Sequence, residues 1–136
     1  MCKMVEISTN HGEKCKVADI KKDYVLNIIQ NAPKCQAIQE IILFGSTTEE
    51  RCTEDSDIDI AIFGDKTEYQ MFSSNSYRHF TDAVYKYGDF QDYDILYFRY
   101  TKLPKADILT DIKKGICIYK RKFGYISSVE KQARTY

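Results

Sequence analysis

The apolar run Ile41-Ile42-Leu43-Phe44 stops at Gly45-Ser46, and ten residues later the chain alternates through Asp57-Ile58-Asp59-Ile60-Ala61-Ile62-Phe63 to Gly64-Asp65. No other part of the sequence limits the fold as tightly. An apolar run closed by glycine predicts a buried strand over 37–44 that is delivered into a turn. Period-two alternation predicts a second strand over 57–63, antiparallel to the first. Asp57, Asp59 and Ala61 then share one face, with Ile58, Ile60 and Phe63 mostly on the other.

Helical spacing supplies the cover that such a sheet needs. Val17, Ile20, Tyr24, Val25, Ile28 and Ile29 recur at threes and fours, predicting a helix over 17–30 that Asn31 and Pro33 end. Tyr77, Phe80, Val84 and Tyr87 predict a second helix, with Gly88 suited to its C-terminal cap. A third strand is expected over 93–100 and a fourth over 116–119. Between them a short helix is expected to start at Pro104, carry Ala106, Ile108, Leu109 and Ile112, and close at Lys113-Lys114-Gly115. In residues 1–16, Met4, Val5 and Ile7 fit a short strand and 8–12 a turn, without deciding the segment. The predicted class is α+β (α/β-type): a small mixed, mostly antiparallel sheet packed by helices.

At 136 residues, 43% of them hydrophobic, the chain suits one domain over 1–136 with a single core. No apolar run approaches the roughly 20 residues that span a bilayer. Lys3, Glu6, Glu13 and Lys14 interrupt the N-terminus before a signal-peptide stretch can form, so a cytoplasmic location is expected. Five cysteines, odd in number and without a C-x-x-C pair, suit reduced thiols rather than a disulfide framework or a zinc site. Twenty basic and twenty acidic residues cancel, leaving no strong nucleic-acid signal. The distribution is uneven: 49–69 carries eight acids against two bases, whereas 102–136 carries nine bases against three acids. Lys120-Arg121-Lys122, Lys131 and Arg134 form a basic C-terminal stretch, taken as a solvated tail over 122–136. Tyr93, Tyr97, Tyr100, Tyr119 and Tyr125 are taken as packing residues, since strand aromatics mostly face cores or cross-strand partners.

The candidate chemistry lies at the strand ends. Carboxylates two apart on a strand share a face about 6.5–7 Å apart, where at an effective dielectric near 20 they repel by roughly 2–3 kcal/mol. A divalent cation removes that repulsion, and hard oxygen donors suit Mg²⁺, which is completed by water and substrate phosphates. The same pair also fits the plain solvent face of a half-exposed strand. Gly45 lets backbone approach phosphate oxygens and Ser46 adds a hydroxyl donor. In Gln91-Asp92-Tyr93-Asp94, Asp92 and Asp94 share a face and offer a third carboxylate, Asp94 lying deeper in the strand.

LFGS, then ten residues, then SDIDIAIF, and later the strand acid of YDILYF, resemble the nucleotidyltransferase superfamily that includes DNA polymerase beta. The length and the ending DILTDIKKGICIYKR are most similar to minimal nucleotidyltransferase domains, a resemblance covering about residues 17–121. It implies that Gly45 and Ser46 contact nucleotide phosphates and that Asp57, Asp59 and Asp94 bind two Mg²⁺ ions. It further implies attack of an acceptor hydroxyl on the α-phosphorus of ATP, with Asp94 as general base. Members of this kind are commonly paired with a HEPN-domain protein, and some place AMP on a toxin tyrosine as antitoxins. The sequence departs from the family in one place: Thr47-Thr48-Glu49-Glu50 stands where Arg-x-Arg-Gly is common. Arg51 is the candidate replacement cation, and Glu49 and Glu50 suit a helix N-terminus. Two alternatives remain, a non-catalytic module that neutralises a partner by docking and a small-molecule transferase completed as a homodimer.

Overall fold

The computed structural model describes residues 1–88, 90–102 and 105–121. The central sheet has four strands in the order β5-β4-β3-β6: β3 is Glu40–Phe44, β4 Ile58–Gly64, β5 Tyr93–Arg99 and β6 Ile116–Lys120. β3 pairs antiparallel with both β4 and β6, and β4 pairs parallel with β5. The sheet is thus mixed and mostly antiparallel, as expected. Its parallel pair is joined through helices, which a parallel connection requires.

Helices cover both faces. α1 (Lys22–Asn31) and α3 (Asn75–Lys86) press Val25, Ile28, Phe80 and Val84 onto Leu43, Ile58, Ile60, Ile62 and Ile118, all fully buried. α4 (Ala106–Lys113) covers the opposite face, where Ile112 packs with Ala61 and Phe63. Phe63 therefore belongs with Asp59 and Ala61 rather than with Ile58 and Ile60, as strict alternation requires. Tyr97 and Tyr119 are buried in the core, whereas exposed Tyr100 stacks on Phe63.

Several boundaries differ from the sequence reading. Val17 and Ala18 end a strand, not begin a helix: β1 (Met4–Ser8) and β2 (Lys14–Ala18) form an antiparallel hairpin in which Val5 faces Val17. A 3-10 turn over Asp19–Lys21 then leads into α1. β3 starts at Glu40, not 37, and a short helix α2 (Glu68–Phe72) precedes α3. Glu49 and Glu50 head no helix, because Glu49 is already extended after the turn that follows β3. Pro104, Tyr125 and the basic tail of 122–136 lie outside the described residues.

Candidate active site

Where the apolar side chains of β3 end, Gly45 takes φ +76°, a left-handed value open to glycine at little cost. A Cβ there would also overlap the Asp59 carboxylate. One glycine thus turns the chain and leaves room for an acid against its backbone. Gly45–Thr48 form a single 3-10 turn. The Thr48 hydroxyl closes it by donating to the Gly45 carbonyl at 2.8 Å, and the Glu49 N–H donates to the Ser46 carbonyl at 2.9 Å. The segment just before β1 braces the next stretch, with the Cys2 N–H donating to the Glu50 carbonyl at 2.9 Å.

Asp59 faces Phe44 across β3 and is the register partner of Asp94 on β5. Neighbouring strands run about 4.8 Å apart and paired residues point to the same face, so these two carboxylates stand side by side. Asp57, one residue before β4, lies on the same face. Asp59 is half-buried, while Asp57 and Asp94 are exposed. Burial pushes the Asp59 carboxyl above its ordinary pKa; the charges of Asp94 and Asp57 add to the rise, and Arg51 opposes it. None of the three acids makes an ion pair among the described residues.

Three unpaired carboxylates grouped at adjoining strand ends are an all-oxygen donor set suited to a hard divalent cation. As the side chains stand, no three Asp, Glu, His or Cys among the described residues converge closely enough to hold an ion. The strand positions still fit Mg²⁺, which needs only one or two protein carboxylates per ion and fills its octahedron with water and phosphate.

A cleft of about 340 Å³ opens beside Asp59, lined among others by Gly45, Thr48, Glu49, Arg51, Asp111 and Lys114. Of the residues predicted from sequence, Gly45, Arg51 and Asp59 line it, and Asp57 and Asp94 neighbour Asp59 along and across the strands. Ser46 belongs to the same turn but is not among the lining residues. Where the sequence departs from the common arginines, Thr47 is fully buried with its hydroxyl unpartnered, and Glu49 accepts a hydrogen bond from Arg51. Lys114 and Asp111 were not foreseen as site residues. Gly115 packs its backbone against Leu43, Ile42 and Phe44, and that contact brings the end of α4 to the cleft.

A mixed sheet that sets an aspartate pair against a third aspartate on a parallel neighbour, beside a glycine turn, defines an α+β nucleotidyl-transfer domain. The family model described as "Polymerase beta, Nucleotidyltransferase" matches residues 26–123, and the chain belongs to that family. No curated protein matches the sequence. No helix among the described residues is long and apolar enough to cross a membrane.

Proposed function

We propose that this nucleotidyltransferase is Mg²⁺-dependent, moves AMP from ATP to an acceptor hydroxyl, and acts in the cytoplasm on a tyrosine of a HEPN-domain toxin, as its antitoxin. The observation that carries the metal-dependent part is the pairing of Asp59 with Asp94 on parallel strands beside Gly45. The acceptor and the partner rest on the resemblance to minimal nucleotidyltransferase domains. Asp57, Asp59 and Asp94 would hold two Mg²⁺ ions, which supply charge neutralisation of the triphosphate and of the leaving group.

The chain's own groups divide the remaining work. Gly45 presents backbone without a side chain, so a phosphate can come close. Arg51 and Lys114 offer positive charge to the triphosphate from the cleft wall. Asp94 takes the proton of the acceptor hydroxyl on a carboxylate oxygen. The acceptor oxygen then bonds to the α-phosphorus as the bond to the β-phosphate bridging oxygen breaks, and pyrophosphate leaves.

A second reading has its own observation. Glu49 engages Arg51, and buried Thr47 offers no charge, which lowers the cleft's hold on a triphosphate and suits a module that neutralises its partner by docking alone. Intact mass spectrometry of the HEPN-domain partner, incubated with this chain, ATP and Mg²⁺, separates the two. Transfer adds whole AMP units to the partner, and Asp57→Asn and Asp59→Asn abolish the gain. A partner that binds while its mass never changes sinks the catalytic reading in favour of docking.

A further inference from the structure

Behind the carboxylates lies a buried cation with no part in the chemistry above. Lys21 is only 1% exposed. Its ammonium donates to the Glu54 carbonyl at 2.9 Å and to Oε1 of Gln91. The Gln91 amide nitrogen in turn donates to two carbonyls, Ser56 at 3.1 Å and Asp92 at 2.6 Å. Only one orientation of the amide satisfies all three bonds, because the flipped form would set NH₂ against an ammonium and oxygen against two carbonyls. The Asp92 carbonyl also accepts from the Ile58 N–H at 3.1 Å. One side chain therefore joins the residue just before Asp57 to the residue two before Asp94.

We propose that Gln91, anchored by Lys21, is a positioning residue that sets the separation of Asp57 from Asp94 and so tunes cation affinity. The proposal rests on the reading of those carboxylates as cation ligands. The loop leading to Asp57 has no helix to hold it, and β5 begins only at Tyr93. Without the clasp, the β4–β5 ladder and the Ile58 bond to the Asp92 carbonyl remain, but Ser56, the residue before Asp57, loses its tie to the segment that leads into Asp94. An unsatisfied buried ammonium is costly, so Lys21 holds Gln91 in the orientation that clasps the two carbonyls. Groups that orient metal ligands from behind typically change affinity by about 10–100-fold when removed.

Gln91→Ala removes the clasp without changing charge, and Gln91→Met does so while keeping side-chain length. Mn²⁺ titrated into the free protein and followed by electron paramagnetic resonance reads affinity without turnover. Circular dichroism scales the result to the folded fraction. Wild type is expected to bind Mn²⁺, and both variants to bind it on the order of tenfold more weakly per folded molecule. Wild-type affinity in either folded variant overturns the clasp. A wild-type chain that binds no Mn²⁺ overturns instead the metal-dependent reading on which it rests.

Discussion

Asp59 sits half-buried between two other acids, with Gly45 backbone against its carboxylate. Burial first, then the charges of Asp94 and Asp57, raise its pKa in the folded chain. A carboxyl of raised pKa binds its proton more tightly folded than unfolded, so its charge opposes folding above that pKa. The contribution favouring the fold is complete below the ordinary carboxylate value of about 4 and is lost as pH rises through the raised value. Without divalent ions, Asp59→Asn is therefore expected to be more stable than wild type at pH 7, with the gap shrinking as the pH falls through the raised value and closed by about pH 4. Urea midpoints at the two pH values check this, and a variant less stable than wild type at pH 7 contradicts the repulsion. The shared face of Asp57 and Asp59 and the strand-end place of Gly45 were legible in the sequence, because strand alternation and an apolar run closed by glycine are local patterns. Lys21, Gln91 and Lys114 were not, since each reaches the site through contacts between distant segments.

α3 shows how well a local signal survives. The Ser74 hydroxyl accepts from the Tyr77 N–H at its start, and Gly88, at φ +89°, follows its end as the spacing predicts. Here the left-handed conformation coincides with a close neighbour, because a Cβ on Gly88 would lie 2.7 Å from a Tyr24 ring carbon. Gly88→Ala is expected to cost about 1–2 kcal/mol from backbone strain alone, and more if the Tyr24 ring cannot move. The urea midpoint should fall, while nucleotide binding in the cleft stays unchanged. Elements set by pairing were harder to see. Val17 satisfies both a helical face and a strand, and only its partner Val5 decides between them. α2 has a capping box, Thr67 with Gln70, yet its five residues are too few for periodicity to register.

Across the whole molecule, the cleft exists because α4 and β6 fold back onto β3. Gly115 makes that contact possible: a Cβ would overlap the Leu43 carbonyl and come within 2.9 Å of Ile42 and Phe44 side-chain carbons. The nearest obstacle is backbone and cannot rotate away, so Gly115→Ala is expected to destabilise by roughly 1–3 kcal/mol or more. Displacing Lys114 should weaken ATP binding as well. Gly12→Ala is the control, a positive-φ glycine with open space around it. Calorimetric unfolding and ATP titration should show Gly12→Ala losing some stability only, and Gly115→Ala losing both. The sequence by itself determined the four strands of the central sheet, the main helical faces and the shared face of Asp57 and Asp59, because alternation and spacing are local and act before any tertiary contact forms. Only the tertiary structure decided that β5 lies parallel beside β4, in the register that sets Asp94 against Asp59, and that α4 closes one wall of the cleft. Register and docking depend on burying apolar faces from segments far apart in the chain, and no local pattern carries that information.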